Sequence, residues 1–140
     1  MRIVIENDHF LKIIAVLLDS KAQEEHKRAV ADFFAHDMPD FLSWCEEFRK
    51  RIPGIYPAHI EFADSQEEFE EKLIHANAAI VESLLVTAKS LAKTSRLFAV
   101  QKFGGITTNI DASACAAKHV AVLSAPRLVN AVVAEQIFAL

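Results

Sequence analysis

Short apolar segments alternate with longer amphipathic segments along most of this 140-residue chain. A run of roughly 4–8 apolar residues bounded by turn residues favours a strand buried on both faces, and such strands are typical of parallel sheets covered by helices. Phe10–Asp19 is predicted as a strand of this kind, and Ala58–Asp64 as a strand of alternating apolar and polar residues. Three further strands are predicted over Ala78–Ser83, Leu97–Gly104 and Val120–Ala125. Met1–Glu6 is predicted as a short additional strand at an edge of the sheet.

The segments between these strands have the apolar periodicity of helices. The predicted helices cover Lys21–His36, the stretch between Pro39 and Pro53, Ser65–His75, Thr87–Thr94, Asp111–Lys118 and Leu128–Leu140. Right-handed crossovers place such helices on both faces of a parallel sheet. We therefore expect an α/β, flavodoxin-like three-layer α/β/α fold with a five-stranded parallel sheet of order 2-1-3-4-5.

In the helix after Pro39, the spacing of Phe41, Trp44, Cys45 and Phe48 predicts an aromatic stripe that faces the core. Ser65 and Glu68 have the spacing of a capping box at the start of the following helix. Both patterns are explained by packing and capping, and neither indicates a cofactor site.

Composition and charge limit the possible partners. The net charge is -4, which argues against nucleic-acid binding. The only long apolar run, Phe10–Leu18, is interrupted by Lys12 and is too short to span a bilayer. Acidic Glu6 and Asp8 precede it, where a signal peptide has positive charge. Cys45 and Cys115 have no paired spacing for a zinc site or a disulfide framework. We expect a cytoplasmic protein with no nucleic-acid partner, membrane segment or metal.

Ligands of open parallel sheets bind at the carboxyl ends of the strands. That rule places Asp19–Ser20, Glu82–Ser83, residues 103–108 and Ser124–Ala125 along one rim. A dinucleotide loop needs three glycines within six residues, whereas this chain has glycine only at positions 54, 104 and 105. Ser83 is a candidate nucleophile on this rim, with a turn or capping role as the alternative.

From about residue 78 to 140 the sequence resembles the substrate-binding (catalytic) domain of the D-isomer-specific 2-hydroxyacid dehydrogenases. The shared features are a strand that ends in a serine loop, a strand that runs into a glycine loop, Asn109-Ile110-Asp111 at a helix start, Val120-Ala121-Val122 at a strand start, and the sequence NAVVAE at residues 130–135. The first 77 residues resemble the family only in the order of strands and helices.

The resemblance implies that residues 1–125 form a flavodoxin-like domain that holds a 2-oxo or 2-hydroxy acid, with residues 126–140 as a connecting helix toward a Rossmann domain that this chain lacks. It implies that backbone N–H groups bind the substrate carboxylate, because a tight glycine loop forms an anion-binding nest. By this match the donors are Glu82, Ser83 and Leu84 after the third strand, and Phe103, Gly104, Gly105 and Ile106 after the fourth.

The sequence departs from the family pattern at three positions on this rim. Ile106 stands where the family has its second glycine, and Thr108 stands where it has an aspartate. Glu82 replaces a residue that is commonly basic, and we expect its negative charge to repel an anionic substrate. The class of substrate is therefore left open.

In the family, the catalytic arginine and the histidine with its acidic partner lie on or after the Rossmann domain, which also binds NAD or NADP. The resemblance therefore implies that this chain holds no catalytic, cofactor-binding or metal-binding residue and is inactive alone. The alternative is a non-catalytic flavodoxin-like binding or interaction domain. Without a Rossmann partner, the chain is expected to form a homodimer or higher oligomer through Val132, Val133, Ile137 and Phe138 of the last helix. The alternative is that this helix folds back on its own sheet.

Overall fold

The computed structural model describes residues 1–125, in which five strands form a single sheet. The strands are Arg2–Glu6 (β1), His59–Ala63 (β2), Ala78–Val81 (β3), Ala99–Phe103 (β4) and Ala121–Ala125 (β5). The helices are Ile13–Leu18 (α1), Glu24–Phe34 (α2), Phe41–Lys50 (α3), Gln66–Leu73 (α4), Ala88–Leu91 (α5) and Ala112–Ala117 (α6). All neighbouring strands are parallel in the order β2-β1-β3-β4-β5, which confirms the predicted fold class and strand order. The helix predicted over Leu128–Leu140 lies outside the described residues.

The first strand in the chain is β1, which sequence analysis placed at an edge of the sheet. It pairs with β2 on one side and with β3 on the other, so the predicted edge position is wrong. Alternate residues of a strand point to opposite faces. Ile3 and Ile5 pack into the core on one face of the sheet, whereas Val4 packs into the core on the other. Three consecutive apolar residues therefore fill both halves of the core.

The segment Phe10–Asp19, predicted as a strand, is instead helical over Ile13–Leu18. Val16 faces away from the sheet and packs with Cys45 of α3. Three residues at helical spacing pack against the sheet: Leu11, Ala15 and Leu18. A helix that lies between a sheet and further helices is apolar on all sides, as a buried strand is. Over a run this short, the spacing of apolar residues does not distinguish a buried helix from a buried strand.

The opposite face of the sheet is covered by α4, α5 and α6. Phe69 and Leu73 of α4 are fully buried against Val81 and Val100 of the sheet. The helix starts follow their sequence signals: Ser65, Thr87 and Asp111 each accept a backbone N–H through the side chain. Short strand-to-helix connections of this kind place the strand ends at one rim.

The aromatic stripe of α3 is only partly core. Phe41 and Cys45 are buried, whereas Trp44 is 40% exposed. The rings of Phe41, Trp44 and Phe48 stack in a row with centroid separations of 6.2 and 5.2 Å. The stripe runs outward because α3 packs on α1 rather than on the sheet, so only its inner end reaches the core.

The position of β1 changes which residues lie at the rim. Because β1 ends at Glu6, the rim holds Glu6 and not Asp19. Asp19 instead forms a β-bridge with Ala58, immediately before β2 begins. Asp19 therefore lies at the amino-terminal end of β2, away from the carboxyl rim. The predicted rim position of Asp19–Ser20 is therefore wrong, and Glu6 stands next to the loop that follows β3.

Candidate functional site

Two loops at the carboxyl rim of the sheet contain all seven predicted binding residues. Glu82, Ser83 and Leu84 follow β3, while Phe103, Gly104, Gly105 and Ile106 lie at the end of β4 and in its loop. The loops are joined by hydrogen bonds: Asn109 Nδ2 donates to Leu84 O at 2.8 Å, and the N–H of Val86 donates to Asn109 O at 2.9 Å. The structure thus brings the two predicted groups together.

The loop after β3 points its backbone N–H groups at a single carboxylate oxygen. The N–H groups of Glu82, Ser83 and Leu84 donate to Oε2 of Glu6 at 2.6, 2.7 and 3.0 Å. The hydroxyl of Ser83 donates to the second oxygen, Oε1. Three successive N–H groups that converge in this way form an anion nest. The nest predicted for a ligand carboxylate holds the chain's own carboxylate.

These contacts stabilise the ionised form of Glu6. Partial burial raises the pKa of Glu6, but the N–H of Leu84, the hydroxyl and N–H of Ser83, and the N–H of Glu82 together lower it by more. The pKa of Glu6 therefore lies below its usual range, as expected for a carboxylate that accepts several backbone hydrogen bonds.

Ser83, the candidate nucleophile, is not activated by this arrangement. Its hydroxyl bonds to Glu6, and a carboxylate with a lowered pKa is a weak base. Ser83 is also not the cap of α5, because Thr87 caps that helix. The hydroxyl holds the loop against β1.

The negative charge of Glu82 is paired with a lysine that sequence analysis did not single out. Lys102 of β4, only 9% exposed at the side chain, donates to the backbone oxygen of Glu82 and lies 3.0 Å from Glu82 Oε2. The expected repulsion of an anionic substrate is therefore offset by an adjacent ammonium. A single lysine within the apolar strand segment "LFAVQKF" was the available signal.

The loop after β4 borders an open cleft of about 330 Å³. Gly104 has φ 127°, a left-handed conformation that side chains rarely adopt and that glycine permits. Ile106 is 74% exposed and does not pack into the fold. The cleft is lined by Glu82, Lys102, Phe103, Gly104, Gly105, Ile106, Thr108 and Asn109. It therefore combines a glycine turn, a cation and an amide side chain.

Other kinds of site lack support in residues 1–125. No three His, Cys, Asp or Glu side chains in this part of the chain are grouped to hold a metal ion. None of its helices is long and apolar enough to cross a bilayer. The glycines at 54, 104 and 105 do not have the spacing of a G-x-G-x-x-G dinucleotide loop.

A five-stranded parallel sheet of order 2-1-3-4-5 with helices on both faces defines a flavodoxin-like three-layer α/β/α fold. The sequence profile of the D-isomer-specific 2-hydroxyacid dehydrogenase catalytic domain matches residues 39–138. The chain belongs to this family, and the resemblance noted in its sequence is confirmed. No curated protein sequence is significantly similar to the chain.

Solved structures with the same fold include three enzymes. An acyclic imino acid reductase in complex with NADPH and D-Arg has 19% identity and a TM-score of 0.57 over 100% of this chain and 36% of the enzyme. A 3-phosphoglycerate dehydrogenase from Entamoeba histolytica bound to NAD+ has 13% identity and a TM-score of 0.53, over 89% of this chain and 32% of the enzyme. The apo D-lactate dehydrogenase from Escherichia coli has 8% identity and a TM-score of 0.52, over 91% of this chain and 31% of the enzyme. The chain spans about a third of the length of these enzymes.

Proposed function

We propose that this chain is the substrate-binding part of an NAD(P)-dependent D-2-hydroxyacid dehydrogenase, which interconverts a 2-oxo acid and a D-2-hydroxy acid by hydride transfer. The family match over residues 39–138 supports the class of reaction. The observation that carries the binding role is the cleft beside Gly104, because it combines a glycine turn with the ammonium of Lys102. NAD or NADP is bound elsewhere in the complete enzyme, since the described residues offer no dinucleotide loop.

In this proposal the substrate carboxylate binds at the loop after β4. Backbone N–H groups at Phe103, Gly104, Gly105 and Ile106 are the candidate donors, with glycine allowing close approach of the ligand. Lys102 supplies the positive charge that keeps the cleft from being acidic beside Glu82. Ser83 and Leu84 support the rim from the neighbouring loop. Hydride transfer requires groups outside these residues, so the 140-residue chain is inactive alone.

A specific observation favours a second function, that of a non-catalytic binding or interaction domain. The N–H groups after β3 are engaged by Glu6, and Ile106 stands at the family's second glycine position. Both features reduce the number of donors open to a substrate.

Titration with pyruvate distinguishes the two functions. The amide signals of residues 103–106 in a nitrogen-15 labelled sample are expected to shift saturably with pyruvate and not with the same concentration of chloride. Ile106→Gly, which restores the family's second glycine, is expected to tighten binding. If neither the wild-type chain nor Ile106→Gly shows these shifts, the non-catalytic interaction domain is favoured. If the 140-residue chain alone reduces pyruvate with NADH, the proposal that it is inactive alone is wrong.

Self-association through Val132, Val133, Ile137 and Phe138 is also part of the proposal. These residues lie outside the described part of the chain. We expect a dimer or larger oligomer by light scattering, and replacement of Ile137 and Phe138 by serine is expected to reduce the measured mass. A monomer at high protein concentration would contradict this part.

A further inference from the structure

The loop after β3 contains a complete carboxylate site. Oε2 of Glu6 accepts three consecutive N–H groups, and Oε1 accepts the hydroxyl of Ser83, so both oxygens of one carboxylate are bound. The loop makes these contacts with a residue 76–78 positions away in the sequence. Such a set of donors is suited to any small carboxylate and is not specific to a glutamate side chain.

We propose that residues 82–84 form an anion site whose resident ligand is the carboxylate of Glu6, and that a free carboxylate enters this site only when the Glu6 side chain is removed. In the unaltered chain, a substrate carboxylate is then bound by the loop after β4 without help from the loop after β3. The inference rests on the proposed function only for the identity of that substrate.

Glu6 has two advantages over a free ligand. It is attached to β1, whose neighbouring residue Ile5 is fully buried between β2 and β3, so its carboxylate is held at a high effective concentration beside the nest. A second carboxylate in the same nest would also lie within a few ångströms of an ionised group of the same charge, which is unfavourable. The two anions therefore exclude each other.

Lys102 does not relieve this exclusion. Its ammonium is engaged by the backbone oxygen and the carboxylate of Glu82, on the side of the rim that borders the cleft. The rim thus has two separate polar arrangements: the nest with Glu6, and the cleft with Lys102 and Gly104. Within residues 1–125, the nest is filled by Glu6, whereas the cleft contains no side chain that fills it.

Chemical rescue of a Glu6→Ala variant tests the proposal. Removing the carboxylate leaves a space lined by the N–H groups of residues 82–84, and formate is small enough to replace it. In the variant, we expect formate to shift the amide signals of residues 82–84 saturably and to raise the midpoint of thermal unfolding above its value in equal chloride. In the wild-type chain, formate is expected to leave the amide signals of Ser83 and Leu84 unchanged and to raise the midpoint less than it does in the variant.

Glu71→Ala serves as the matched control, because Glu71 is an exposed glutamate on α4. This variant is expected to respond to formate as the wild-type chain does. Glu6→Ser is a second variant that opens the same space. If both Glu6 variants are unfolded in chloride, formate is expected to restore the folded far-ultraviolet circular dichroism signal.

The outcomes separate this inference from the proposed function. Saturable shifts at Ser83 and Leu84 in the wild-type chain, or no response to formate in either Glu6 variant, would overturn the inference. Shifts at residues 103–106 with pyruvate report only on the proposed function. The inference about residues 82–84 can therefore be wrong while the proposed function is right, and the reverse.

Discussion

Ser83 donates its backbone N–H, at 2.7 Å, and its hydroxyl to the carboxylate of Glu6, a residue 77 positions earlier in the chain. The contact joins the end of β1, which lies between β2 and β3, to the loop after β3. It shapes that loop and occupies N–H groups that otherwise face the rim.

The Glu6 contact makes stability depend on pH. Because folding lowers the pKa of Glu6 from its ordinary 4.5, its stabilising contribution is full above about pH 4.5 and is lost as the pH falls through the lower folded value. We expect Glu6→Gln to lower the free energy of unfolding by about 1–2 kcal/mol near pH 7, since Gln offers a neutral acceptor in place of a charged one. The difference should shrink in urea unfolding measurements at lower pH.

Glu24→Gln is the control for this prediction. Glu24 also has a lowered pKa, caused first by its hydrogen bond with Lys27, but it is fully exposed. A smaller effect is expected for this surface pair. A Glu6→Gln difference that stays constant from neutral to acidic pH would show that the charge of Glu6 is not the stabilising feature.

Lys102→Met is expected to lower the free energy of unfolding by about 2 kcal/mol. The substitution removes the ammonium that contacts both the carboxylate and the backbone oxygen of Glu82. Lys89→Met is the matched control: Lys89 also pairs with a glutamate, Glu70, but is 85% exposed, and a change within about 0.5 kcal/mol is expected. Urea unfolding of Lys102→Met, Glu82→Gln and the double variant measures the coupling between the two side chains. Strictly additive effects would contradict the pairing.

Gly104→Ala is expected to cost about 1–2 kcal/mol, because the left-handed φ of 127° brings an added Cβ into conflict with the backbone. Gly54→Ala is the control, since nothing lies within 4 Å of a Cβ at that position. It should change stability by about 0.5 kcal/mol or less. Equal effects of the two substitutions on thermal unfolding would mean that the loop adapts without strain.

The two cysteines are expected to be unreactive in the folded chain. Cys45 and Cys115 are fully buried, and burial raises the pKa of both thiols, with Asp111 raising that of Cys115 further. Because the thiolate is the reactive form, a chromogenic disulfide reagent should label neither residue near neutral pH and both in denaturant. Labelling of the native protein at the rate of a free thiol would contradict the packing of α3 or α6.

The sequence alone determined the part of the fold that depends on local signals. Between residues 58 and 125, the predicted strands and helices agree with the structure to within three residues at each end, and Ser65 caps its helix as predicted, because alternation, helical spacing and capping act over a few residues. The glycine loop after β4 could be located for the same reason.

Only the tertiary structure decided the secondary structure of the first twenty residues and, with it, which side chains lie at the carboxyl rim. An apolar run such as Phe10–Asp19 is compatible with a buried strand or a buried helix, and the choice depends on β1 lying between β2 and β3 with α1 above it. The same placement brings Glu6 to the nest at residues 82–84, and the pairing of β3 with β4 brings Lys102 to Glu82. These contacts join residues far apart in the sequence, so strand order, and not local pattern, creates them.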